Sequence, residues 1–182
     1  MQRRGAADEE GYWRIVEAKT PPLFAAALRM GALLGGASPG AAEALAAAGV
    51  PIGVLIQLGD DLGDVMSEVL HPDWQRPGDN LALRFALEAD HPDRDEFAGL
   101  VSRVGDPAAY ARAREILVHS GAFSFCVHHM RVAAAEARRV VLAAPLADPD
   151  PVLELVDSLA APIADLLARA GIDERALEPA LV

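Results

Sequence analysis

The sequence predicts an all-α protein, and three observations carry that prediction. Ala, Leu and Val are abundant in a chain that is 52% hydrophobic but only 5% aromatic, with few Ile and Thr, so local propensity favours helix over sheet. Apolar residues recur at helical spacing in segment after segment. The segments are separated by helix-start signals in which a capping residue precedes proline, as at Thr20-Pro21, Ser38-Pro39 and Asp106-Pro107.

Taken in order, Tyr12 to Ala18 has helical spacing, and a second helix starts with Thr20 as N-cap and runs to Gly35-Gly36. Ser38-Pro39 opens a longer helix through Val69, with a kink expected at Pro51, whose ring removes one internal hydrogen bond. Asp73 to Asp79 reads as a loop, Leu81 to Ala89 as a short helix, and Asp93 to Val104 as another after the His91-Pro92 break. One long helix is expected from Asp106-Pro107 to about Ala143, and a last one from Val152 to about Ala170. With no internal repeat and no long linker, residues 1–182 read as one domain.

Composition excludes several functions. A formal charge of −11 and a pI near 4.8 oppose the basic footprint of a nucleic-acid binder. An acidic protein that handles an anionic ligand needs a cation between them. Cys126, the single cysteine, lies in an apolar stretch and is expected to be buried and inert. The N-terminus lacks an apolar signal region, so a cytoplasmic setting is expected. The longest near-apolar run, Ala44 to Leu58, falls short of the roughly 20 residues that span a bilayer and reads as a core helix without a transmembrane role.

The sharpest chemical feature is Gln57-Leu58-Gly59-Asp60-Asp61-Leu62-Gly63-Asp64, an acidic cluster directly after the most apolar part of its helix. At 3.6 residues per turn, Gln57, Asp60, Asp64 and Glu68 fall on one face, with Asp61 one step aside. Like charges at this spacing repel unless a cation sits between them, and oxygen ligands on a rigid element suit Mg²⁺. Gly49, Gly53, Gly59 and Gly63 in the same helix suggest close packing or ligand approach. Lys19 is the only lysine among 16 basic residues, and at a helix junction a compact ammonium suits a diphosphate oxygen. His128-His129 reads as packed or solvent-exposed rather than ligating, and Asp90 to Asp95 as a helix start.

Tyr12-x-x-Ile15-x-x-x-Lys19-Thr20-x-x-Leu23-Phe24, then Gly53-x-x-Ile56-Gln57-x-x-Asp60-Asp61-x-x-Asp64, resembles the second half of the trans-isoprenyl diphosphate synthase, or polyprenyl synthetase, family. The resemblance implies part of an isoprenoid-synthase-type helical bundle and Mg²⁺-dependent transfer of a prenyl group from an allylic diphosphate to isopentenyl diphosphate. It implies that Lys19, Thr20 and Gln57 attend the allylic diphosphate and that Asp60, Asp61 and Asp64 hold Mg²⁺. Two departures stand out: Ile56 replaces the family's usual Phe, and no lysine follows the aspartates, where Arg76 is a possible substitute. The family's first aspartate-rich motif has no counterpart here, so a partner chain, a second copy or a longer gene product is expected to complete the site. The alternatives are a non-catalytic regulatory or scaffold subunit of a prenyltransferase and a class I terpene cyclase fragment, the latter because Asp60, Asp64 and Glu68 repeat at i, i+4, i+8.

Overall fold

The computed structural model describes residues 9–163 and 165. Among them the chain is all-α, with nine α-helices: α1 (Glu9–Lys19), α2 (Pro21–Leu34), α3 (Pro39–Ala46), α4 (Gly49–Val65), α5 (Leu81–Glu88), α6 (Arg94–Val101), α7 (Pro107–His119), α8 (Ala122–Ala143) and α9 (Asp150–Ala160). Two 3-10 turns, Pro72–Gln75 and Pro77–Asp79, occupy the stretch expected to be a loop.

Two expected long helices are each broken in two. The segment from Ser38 does not kink at Pro51 but stops at Ala46 and restarts at Gly49, so Pro51 sits in the first turn of α4, where a missing N–H leaves no helical bond unmade. Ser38 caps α3, its hydroxyl accepting from the Ala41 N–H at 3.2 Å. The helix expected from Asp106 to Ala143 divides at Ser120-Gly121, where Gly121 has φ of +90°, a conformation that L side chains resist. Helix α9 begins two residues before Val152 and ends at Ala160; the remainder of the expected run to Ala170 lies largely outside the described residues. Pro39–Val65 is long and apolar enough to cross a membrane, which exceeds the length read from Ala44 to Leu58, but 67% of its most apolar window is buried inside the protein.

The chain divides into two compact units, with the divisions falling inside α1, α4 and α8. The first contains Tyr12 and residues 60–128. Its buried residues include Leu62, Val65, Leu81, Leu83, Phe97, Ile116, Leu117, Phe123 and Trp74, whose ring centroid stands 5.3 Å from that of Tyr110, edge to face, and 6.2 Å from that of Phe97. The other unit comprises residues 13–59 and 129–163. There Val16, Leu45, Ile52, Leu55, Leu58, Val141 and Val156 are buried, and α2 packs along α3. A methyl group added to Gly53 would lie 2.5 Å from Pro21 Cα, and one on Gly49 would overlap Ala25. These two glycines of α4 therefore admit α2 at close range, whereas Gly63 faces open space.

Candidate functional site

Thr20 does not behave as the N-cap its position suggested. Its backbone is helical and its side chain makes no capping bond. The hydroxyl instead donates to Gln57 Oε1 at 3.1 Å, across 37 residues of sequence. Two separate motifs are thereby joined within one unit, with Gln57 buried and Thr20 half-buried. Lys19 is the exposed last residue of α1, where a cation also complements the carbonyl end of the helix.

The aspartates separate by environment. Asp60 is exposed and Asp64 half-buried, and they lie one turn apart on α4. Asp61 is only 3% exposed. Its Oδ2 accepts from the Tyr12 hydroxyl at 2.8 Å and from the Leu81 N–H, the first residue of α5, at 3.0 Å. The burial of Tyr12, and then the charge beside it, hold that phenol far above its ordinary pKa. Burial, and after it the Asp61 charge, likewise push the Cys126 thiol up, so this cysteine is a protonated core residue.

Asn80, fully buried, closes the network. Its Oδ1 caps α5 through the N–H groups of Ala82 and Leu83, while its Nδ2 donates to the Asp61 carbonyl at 2.9 Å and to Asp73 Oδ2 at 3.0 Å. All of its hydrogen-bonding capacity is thus spent on holding the aspartate helix, the 3-10 turn and α5 in register. Next to it, Asp64, His71 and Asp73 form a group whose candidate ligand atoms lie within 4.8 Å of one another. His71, Asp73 and Asn80 were not among the site residues read from sequence. Asn80 was findable as a capping residue before the apolar run Leu81 to Leu83, but nothing in the pattern brings His71 to Asp64.

Glu68 does not share the Asp60 and Asp64 face as the periodicity suggested, because α4 ends at Val65. The carbonyls released there find partners on α7: Arg114 Nη2 donates to the Met66 carbonyl and the Tyr110 hydroxyl to that of Ser67, both at 2.8 Å. The i, i+4, i+8 repeat that motivated a cyclase reading is therefore not carried by one helix. Arg76 is exposed at the junction of the two 3-10 turns. His129 is half-buried with its ring 5.0 Å from that of Trp13, and His128 is exposed.

This order of elements, a lysine–threonine junction followed by a glutamine and an aspartate helix, is matched by the family model for polyprenyl synthetase over residues 1–73. Over this stretch the chain is similar to the polyprenyl synthetase family. That family carries out prenyl transfer in isoprenoid biosynthesis. The polyprenyl synthetase match takes in Lys19, Thr20, Gln57, all three clustered aspartates, His71 and Asp73, and ends there. No curated protein and no solved structure gives a significant match.

Proposed function

We propose that this chain is one half of a split or partnered polyprenyl synthetase that binds an allylic diphosphate through Mg²⁺ and passes its prenyl group to isopentenyl diphosphate in the cytoplasm. The observation that carries the reading is the Thr20–Gln57 bond, which fastens the lysine–threonine junction to the turn of α4 just before the aspartates. Asp60 and Asp64 offer hard oxygen donors with access to solvent, as Mg²⁺ and its retained waters require. Asp61 serves this site from behind: with Oδ2 held by Tyr12 and Leu81, it fixes the position of the helix that presents its neighbours. Lys19 and Thr20 orient the diphosphate, and Gln57 holds the Thr20 hydroxyl in place. When bound, Mg²⁺ supplies charge stabilisation for the departing diphosphate.

The sequence contains one Asp-Asp pair, and the reading therefore assigns the other metal-binding motif to a partner chain, a second copy or a longer product. Helix α2 supports a partner, because it buries only Pro21 and leaves Leu23, Met30, Leu33 and Leu34 exposed. The same surface suits the second reading, a non-catalytic subunit that binds an active prenyltransferase.

The test is Mg²⁺-dependent incorporation of labelled isopentenyl diphosphate by the purified chain, alone and mixed with an active family member. Turnover that appears or rises on mixing and falls at least tenfold in Asp60→Asn, Asp64→Asn supports the catalytic reading. Turnover that rises equally with the double variant supports the scaffold, and no change in either arm defeats both.

A further inference from the structure

We propose that Asp64 and His71 form a binding site for a first-row transition-metal dication such as Mn²⁺, Co²⁺ or Zn²⁺, with Asp73 holding the imidazole. The inference shares Asp64 with the reading above and adds an ion class and a nitrogen ligand to it.

The spacing carries the argument. His71 Nε2 and Asp64 Oδ2 are 3.6 Å apart, too far for a hydrogen bond. Two ligands each about 2.1 Å from one ion, subtending a tetrahedral angle, stand roughly 3.4 Å apart. The pair is thus spaced for a shared cation. Both side chains are partly open to solvent, so an ion has a route in.

The other face of the ring is tied down. His71 Nδ1 lies 3.2 Å from Asp73 Oδ1 and 3.4 Å from the Asp73 backbone N–H. In the metal-free ring Nδ1 accepts from that backbone N–H and the proton sits on Nε2; a cation that displaces it leaves Nδ1 to carry the ring proton, with Asp73 Oδ1 3.2 Å away to accept its hydrogen bond. Asp73 is in turn fixed, since its Oδ2 accepts from Asn80, a fully buried side chain whose remaining bonds go to Asp61 and α5. A carboxylate behind one nitrogen of a histidine whose other nitrogen faces a second carboxylate is the usual outer support of a histidine–metal bond. Three elements contribute, the end of α4, the residue before the first 3-10 turn and the turn itself, so the cluster is a product of the fold rather than of one acidic run. The imidazole nitrogen also decides the ion class: borderline dications prefer it, whereas Mg²⁺ prefers oxygen alone.

The experiment is titration of the purified chain with Co²⁺, read by visible absorption, with competition by Zn²⁺ and Mg²⁺. Wild type is expected to give new d–d bands that Zn²⁺ displaces and millimolar Mg²⁺ does not. Asp73→Asn should weaken binding 10–100-fold, and His71→Ala at least tenfold. His71→Asn, which can still cap the 3-10 turn, guards against a folding artefact and should also lose the bands. Unaltered bands in both His71 variants, or no bands in wild type, would overturn the site. So would Asp60→Asn if it abolished the bands as completely as His71→Asn. Calorimetry with Mg²⁺ and inorganic diphosphate on the same proteins reads the proposed function separately. An unchanged heat in Asp60→Asn, Asp64→Asn defeats that function, and intact cobalt binding in Asp60→Asn then leaves the transition-metal site standing.

Discussion

Helices α2 and α4 open alike, each apolar through its first two turns, with a proline near the start and glycine further along, yet they end in opposite surroundings. Helix α4 keeps Ile52, Leu55, Leu58, Leu62 and Val65 fully or almost fully buried, whereas in α2 Leu23 is 67% and Leu34 90% exposed. The difference lies in what each helix offers a neighbour. Gly49 and Gly53 let α4 take the start of α2 at van der Waals range, so that Pro21 and Ala25 fill the space side chains would occupy. Helix α2 leaves Leu23, Met30 and Leu34 largely exposed to solvent. Apolarity alone therefore does not identify a core helix, and small residues at the contact do more to decide which face is covered.

The harshest way to break the comparison is to fill that contact. Gly53→Ala places a methyl 2.5 Å from Pro21 Cα, and because backbone rather than a flexible side chain must yield, it should cost about 3 kcal/mol. Urea denaturation measures this, and a loss below about 0.5 kcal/mol would mean that the two helices are not held at this distance.

The buried end of α4 should be nearly as sensitive. Asp61→Ala removes the carboxylate that accepts from the Tyr12 hydroxyl and the Leu81 N–H and should cost about 2–3 kcal/mol. The pH dependence follows from the same contact. The folded state keeps the Tyr12 proton well above its ordinary pKa, so the unfolded chain releases that proton first, from about pH 10. The stability this contributes is complete below pH 10 and is lost as pH rises further, by up to about 1.4 kcal/mol per pH unit. Tyr12→Phe should flatten that decline, and parallel alkaline curves for the two proteins would contradict the assignment.

Gly63 offers the opposite outcome to Gly53 on the same helix. It is exposed with nothing near its missing side chain, so Gly63→Ala should raise stability by about 0.5–1 kcal/mol. Thermal unfolding decides it. The smallest effect on stability, within about 0.5 kcal/mol, is expected from Leu23→Glu with Leu34→Glu on α2. The same pair should abolish self-association or capture by a partner subunit, read by light scattering at micromolar concentration. A wild-type chain that stays monomeric and binds no family member would leave the exposed face of α2 without a role.

The sequence by itself determined the secondary-structure class, most helix starts and the chemistry of α4. These are local matters: propensity, a cap before a proline, and carboxylates repeating each turn are written in neighbouring residues. It also placed Asp61 one step off the Asp60 and Asp64 face, beside Leu58, Leu62 and Val65, which is the local trace of its burial. Tertiary structure decided the rest. The chain just past α4 is held by Arg114 and Tyr110, 48 and 43 residues away, which donate to the Met66 and Ser67 carbonyls; whether Thr20 caps a helix or binds Gln57 depends on α4 lying beside it. The approach of His71 to Asp64 rests on Asn80 and Asp73, whose hydrogen bonds span three elements. Such choices compare a local bond with a distant one of similar strength, about 1 kcal/mol net for each, and the balance is struck only when packing has brought the distant group within reach.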